Sequence, residues 1–238
     1  MDGSDSIYKG EMGDGFITSR RLKFPKHPGI IKGRLRGALR QGNYEKREAD
    51  AVLRVIREGD KVIELGGGIG FMSAHIAKSR NIKEINTFEA NPHLIPYIQS
   101  VHEANEIETA TVHNAILGKR KGTVSFFVRQ NLLASSMDDR DGTNVLATEQ
   151  IEVRSANGVM RSLKPDVLVC DIEGAEATLI PHMNLSSLRA AVIELHPQWI
   201  GPEGVNAVFS AFMNAGLAYF AKGSTNKVVS FRRAWPLR

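Results

Sequence analysis

The stretch Lys61-Val62-Ile63-Glu64-Leu65-Gly66-Gly67-Gly68-Ile69-Gly70 decides how this chain is read. Its first half is a short apolar run carrying an acid, and it reads as a buried β-strand. Its second half is a glycine loop, and residues 70–79 behind it read as a helix. Glycines at a strand-to-helix junction let the backbone turn sharply and let a ligand come close to the main chain. Two phosphate-binding motifs fail here. The dinucleotide fingerprint G-x-G-x-x-G, started at Gly66, needs glycine at position 71, where Phe71 stands. A P-loop needs Gly-Lys-Ser/Thr after the loop, and none follows.

Working outward, residues 45–57 place Ala49, Val52, Leu53 and Ile56 at helical spacing, and Gly59-Asp60 ends that helix. Downstream come a strand at 84–88, a helix at about 93–104 behind Asn91-Pro92, and a strand at 109–113. Alternating strands and helices predict a parallel sheet covered on both faces. Residues 123–129 and 149–154 read as further strands around a polar loop, 130–147. Asp166-Val167-Leu168-Val169-Cys170-Asp171 is an apolar strand with an acid at its carboxyl end. A helix begins at 175–180, a strand covers 190–196, and another helix covers 203–215. Residues 217–221 and 227–232 form a closing hairpin through Gly223-Ser224-Thr225-Asn226. The expected class is α/β, with a seven-stranded, mostly parallel sheet and helices on both faces.

The chain has 238 residues, 42% hydrophobic and 24% charged, which suits a globular domain and argues against global disorder. Its one cysteine, Cys170, excludes an intrachain disulfide and a cysteine-based zinc cluster, and favours a reducing, cytoplasmic setting. No apolar run approaches the ~18–20 residues of a membrane span. Residues 1–43 look irregular and form a basic arm or lid, ahead of a domain at 44–238. Arg20, Arg21, Lys23, Lys26, Lys32, Arg34, Arg36 and Arg40 hold much of the formal charge surplus of +5. That surplus permits a polyanionic partner without requiring one.

The pattern left at the loop is acid-x-Gly-x-Gly-x-Gly, which resembles the glycine loop of the Rossmann-like S-adenosylmethionine methyltransferases. In that reading Gly66, Gly68 and Gly70 pack against the cofactor, and Glu64 holds its amino end. Glu89 closes the second strand about 20 residues beyond the loop, where an acid accepts hydrogen bonds from ribose hydroxyls. Ala90 follows it. Asn114, with Ala115, sits past the third strand where such folds contact adenine.

Further along, the residues resemble the FkbM-type methyltransferase family, from about Tyr44 to the C-terminus. The resemblance is carried by Tyr44-Glu45, by Thr87-Phe88-Glu89-Ala90-Asn91-Pro92, by Ser135-Ser136, and by Glu194-Leu195-His196. It is carried above all by Asp171-Ile172-Glu173-Gly174-Ala175-Glu176, which matches the family's Asp-x-Glu-Gly-Ala-Glu motif in full. Position 169 departs from it, with valine where the family commonly has lysine. The resemblance implies a class I methyltransferase fold and O-methylation of a hydroxyl on a sugar, glycan or secondary metabolite.

A hydroxyl is a poor nucleophile until a base takes its proton. Asp171, Glu173, Glu194 and His196 all fall at the carboxyl edge of the sheet, where open α/β sheets bind ligands. His196 is the candidate base, Asp171 the candidate orienter or alternative base and a cofactor neighbour, and Glu173 a further acid of the site. Glu176 reads as a helix-start partner. Asp171, Glu173, Glu194 and His196 could also hold a divalent metal such as Mg²⁺, Mn²⁺ or Zn²⁺, but their spacing matches no metal motif, so metal ranks second and none is assigned. Two rivals remain: a nucleic-acid methyltransferase using the basic arm, and a binding module that keeps the cofactor site without turnover. Oligomeric state is open, a homodimer being one option.

Overall fold

The computed structural model describes Tyr8, residues 10–129 and residues 145–233. Ser135-Ser136 and most of the polar 130–147 loop lie outside the described residues.

The chain opens with a hairpin, β1 (Gly13–Ser19) and β2 (Leu22–Lys26), followed by helix α1 (Gly33–Arg40). The arm is therefore structured where the sequence reads as irregular. The two turn residues, Arg20 and Arg21, both adopt left-handed φ (47° and 67°), a geometry tight hairpins normally give to glycine or asparagine. Arg20 is held there by Asp50 at 2.9 Å and by the Gly42 carbonyl.

Helix α2 (Lys46–Val55) buries Ala49, Ala51, Val52 and Val55 as a single stripe. Next come β3 (Lys61–Leu65), α3 (Phe71–Ser79), β4 (Glu84–Glu89), α4 (Ile95–Ala104) and β5 (Ala110–Asn114). A small insertion follows: β6 (Ile116–Gly118), β7 (Gly122–Arg129) and β8 (Val145–Ser155). These make a separate three-stranded sheet, so the two strands read at 123–129 and 149–154 are not members of the main one. Helix α5 (Ala156–Leu163), absent from the sequence reading, is capped by Ser155 accepting from Gly158 N–H at 3.3 Å. The chain ends with β9 (Val167–Cys170), α6 (Glu176–Leu179), β10 (Ala190–Glu194), α7 (Pro197–Asn214), β11 (Leu217–Tyr219) and β12 (Val228–Arg233). Helix α7 starts six residues earlier than its periodicity suggests and breaks at Gly201, ahead of Pro202.

The main sheet has seven strands in the order β11-β12-β10-β9-β3-β4-β5. Strands β10, β9, β3, β4 and β5 run parallel, and β12 runs antiparallel between β10 and β11. Successive residues point to opposite faces. Val62, Val167 and Val192 enter one apolar cluster under α2, α3, α4 and the hairpin. Ile63, Leu168 and Ile193 enter the other, under α5, α6 and α7. Burial on both faces explains why these strands read as continuous apolar runs.

The hairpin is fastened to the first face. Asn105, capping α4, pairs with the Lys23 backbone in both directions: Lys23 N–H donates to its Oδ1 at 2.8 Å, and its Nδ2 donates to the Lys23 carbonyl at 2.7 Å. Tyr97 donates to the Pro25 carbonyl at 2.8 Å.

Candidate active site

The carboxyl ends of β3 and β4 build the first half of the site. Gly66, Gly68 and Gly70 all have left-handed φ (90°, 53° and 75°). A methyl at position 66 would lie 1.8 Å from the Asp171 carbonyl oxygen, and one at 67 would lie 2.7 Å from Thr87 Cγ2. The loop is thus pressed against both neighbouring strands, and only glycine fits. Glu64 is 1% exposed. Thr87 donates to its Oε2 at 2.5 Å, while its Oε1 is buried without a hydrogen-bond partner of normal geometry. Burial pushes the Glu64 carboxyl up to about 8, against the lowering by Thr87 and Ser73. Glu89 is also buried, but both its oxygens are served: Gly68 N–H donates to one at 2.8 Å and Asn91 N–H to the other at 2.7 Å. Burial raises its pKa, and these backbone donors oppose the rise.

Asn114 donates to the carbonyls of Glu89 and Ala90, at 3.0 Å each, and so ties the end of β5 to the end of β4. Ala90 is half-buried at that junction. Ala115 belongs to the apolar core rather than to the surface of the site.

The second half lies at the ends of β9 and β10. Asp171 follows β9, and the chain then reverses through Glu173 (φ 50°) and Gly174 (φ 97°). A left-handed conformation at a glutamate is costly and needs support. Here Glu176, 0% exposed, accepts from Gly174 N–H at 2.8 Å and from His196 N–H at 2.8 Å. The same carboxylate faces His196 Nδ1 at 3.3 Å. On the other side of the ring, His196 Nε2 lies 3.2 Å from Glu173 Oε2 and 3.7 Å from Asp171 Oδ1. His196 is 3% exposed and stacks on Trp199, ring centroids 5.1 Å apart. Burial alone would lower its pKa, but the Glu176 hydrogen bond and the Glu173 and Asp171 charges outweigh it, and the pKa rises. Burial and the charges of Glu194 and Glu173 push Asp171 up to about 8, against the pull of His196. Its Oδ1 has no hydrogen-bond partner.

The two halves meet in a cleft lined by Gly66 and by Glu45, Glu48, Glu64, Asp171 and Glu194. Glu64, Gly66 and Asp171 are brought together across more than a hundred residues of sequence. Glu173 and His196 join Asp171, with Glu194 on the cleft wall. Two lining acids are not among the site residues expected from the sequence: Glu45, left-handed at the start of α2 (φ 44°), and Glu48, three residues on. Their helical spacing puts them on one face, a signal the sequence does carry. Burial raises the pKa of both. Glu176 does sit at a helix start, and it also holds His196, which spacing alone could not indicate.

Strand order, the single antiparallel strand and a strand-end cleft define the class I, Rossmann-like methyltransferase fold. Solved structures agree at the level of fold. Trm5b from Pyrococcus abyssi matches with a TM-score of 0.51 and 13% identity, over 91% of this chain and 55% of that one. A transferase from Pyrococcus horikoshii matches with a TM-score of 0.52 and 15% identity, over 90% and 70%. TYW2 from M. jannaschii, in complex with AdoMet, matches with a TM-score of 0.50 and 14% identity, over 95% and 89%. The chain thus spans little more than half the length of Trm5b. No family model and no curated protein matches the sequence. Among the described residues, no helix is long and apolar enough to cross a membrane.

Proposed function

We propose that this protein is an S-adenosylmethionine-dependent methyltransferase of the FkbM type, acting on a hydroxyl of a sugar, glycan or secondary metabolite. One observation carries the reading: Glu64 and Gly66, where the glycine loop begins, and Asp171, the first residue of the Asp171-Ile172-Glu173-Gly174-Ala175-Glu176 motif, separate in sequence, line one cleft at the carboxyl ends of the strands. The group proposed fits the residues present. Gly66, Gly68 and Gly70 leave the main chain bare, and the orphaned Glu64 oxygen awaits a donor. Glu89 presents a carboxylate for ribose hydroxyls, and Asn114 borders the adenine side. The AdoMet complex of TYW2, which shares the fold, supports the same assignment.

When bound, the cofactor supplies a methyl group already activated on a sulfonium. The chain must align an acceptor and manage its proton, and alignment alone can be worth on the order of 7–11 kcal/mol. Asp171 would take the proton that the acceptor oxygen loses as that oxygen gains the methyl carbon and the carbon–sulfur bond breaks, leaving a neutral thioether. His196, held by Glu176, places its charge beside Asp171 and Glu173 and keeps both carboxylates in position. Trp199, 51% exposed over His196, offers a flat wall for the acceptor. The lone, buried Cys170 accords with a reducing, cytoplasmic setting.

A second reading, methyl transfer to nucleic acid, has one observation in its favour: Phe16 is exposed on the hairpin, with Lys23 Nζ 5.9 Å from its ring. Salt-dependent binding to RNA or DNA would raise it above the first. The test of the main reading is calorimetry with S-adenosylmethionine. The parent should bind, and Glu89→Ala should bind about 10- to 100-fold more weakly, the worth of charge-assisted hydrogen bonds. No binding by the parent overturns the reading.

A further inference from the structure

We propose that Asp171, Glu173 and His196 form a site for one divalent transition-metal cation at the mouth of the cleft. The three offer one ligand atom each, and these atoms all lie within 4.8 Å of one another. The two spacings from His196 fit coordination. Donors at ordinary zinc–nitrogen and zinc–oxygen distances around a tetrahedral ion stand about 3.4 Å apart. His196 Nε2 stands 3.2 Å from Glu173 Oε2 and 3.7 Å from Asp171 Oδ1.

The histidine is prepared for the role. Metal-bound histidines usually donate their other ring N–H to a carboxylate, which sets the tautomer and turns the lone pair to the metal. Glu176 fills that position, facing Nδ1 at 3.3 Å from a fully buried carboxylate that two backbone N–H groups also hold. With the cation in place of the Nε2 proton, the lone pair lies on Nε2, on the side of Asp171 and Glu173. Asp171 Oδ1, an inaccessible oxygen on a side chain about one-third exposed, has no hydrogen-bond partner and so keeps its lone pairs free for a cation. Glu173 is kept in a left-handed conformation that turns it toward the ring. Local charge points the same way. Asp171, Glu173, Glu176 and Glu194 crowd the site, while Lys227 is engaged with Glu194 at 3.3 Å.

Two carboxylates and one imidazole suit Mn²⁺ or Zn²⁺ better than Ca²⁺ or Mg²⁺, which prefer all-oxygen shells. Three protein ligands leave positions for water or for an acceptor oxygen, whose proton the ion would make easier to remove. The second oxygen of Asp171 stays available to receive it.

The site is tested on the full-length chain, stripped of metal by chelation and titrated with MnCl₂ by calorimetry and electron paramagnetic resonance. One Mn²⁺ per chain should bind, and spin-echo modulation should report one coordinated imidazole nitrogen. Glu173→Gln and Asp171→Asn, at side chains about one-third exposed, should each weaken binding at least about tenfold. Absence of saturable binding of either Mn²⁺ or Zn²⁺ overturns the site. So does bound Mn²⁺ without nitrogen coupling, a result that needs no variant to fold. S-adenosylmethionine binding is measured on the same samples. Cofactor binding without metal binding overturns the metal site alone, and metal binding without cofactor binding overturns only the cofactor reading.

Discussion

The two halves of the cleft handle buried carboxylates in opposite ways. Around the glycine loop, Glu89 has a backbone donor for each oxygen, and the glycines fix those donors in place. Around the ends of β9 and β10, Asp171, Glu173 and Glu176 surround a single imidazole. Glu89 is self-sufficient, its partners being main chain that is present in any state of the protein. The second half is short of positive charge and becomes balanced only with a proton or a cation. A self-satisfied carboxylate such as Glu89 suits recognition of a constant ligand, and an unbalanced cluster suits chemistry, where charge must change during turnover.

The largest effect expected from disturbing this contrast is Gly66→Ala. The added methyl would strike the Asp171 carbonyl, which joins the two halves, at a φ that disfavours any Cβ. Overlap and strain of roughly 3 kcal/mol would cost about 100-fold or more in cofactor affinity, read by calorimetry, together with a lower melting temperature. Retained affinity would mean that the halves are less tightly joined than described.

Glu64→Gln probes the one carboxylate of the first half that lacks a partner for one oxygen. The folded chain holds the Glu64 proton more tightly than the unfolded chain, whose carboxyl has its ordinary value near 4.5. Its contribution to stability is therefore fully present below pH 4.5 and is lost as pH rises toward about 8. The glutamine variant escapes that loss. Its melting temperature should match the parent at pH 4.5 and exceed it increasingly up to pH 8, measured by calorimetric scans without cofactor. A constant difference across that range would show that Glu64 does not titrate there.

The smallest effect is expected from Asn114→Ala. Its amide ties two strand ends from an exposed position, so its loss should weaken cofactor binding only about 2- to 10-fold, with turnover at saturation unchanged. A larger change would move Asn114 from scaffold to direct contact.

Much of the first half was legible in the sequence, because its determinants are local. A glycine loop between an apolar strand and a helix, with an acid closing the next strand, can be read within thirty residues. Asp171, Glu173 and His196 were legible as residues at a sheet edge. Their mutual geometry was not, since it depends on a left-handed glutamate and on a parallel register between β9 and β10. The strands at 123–129 and 149–154 were found, but their membership of a separate sheet was not, because alternation shows which face is buried and not what a strand pairs with. The basic arm was misread as irregular because its turn is made by Arg20 and Arg21, residues that carry no turn signal. Tertiary ties supply what the local sequence lacks there.

Those ties also order events in time. The clasp between Lys23 and Asn105 closes a loop of more than eighty residues. The hairpin leaves the ribosome before its seat on α4, which exists only after Asn105 has emerged. During synthesis Ile17, Leu22 and Phe24, all buried in the finished protein, must wait without cover. A segment made earlier thus waits for one made more than eighty residues later.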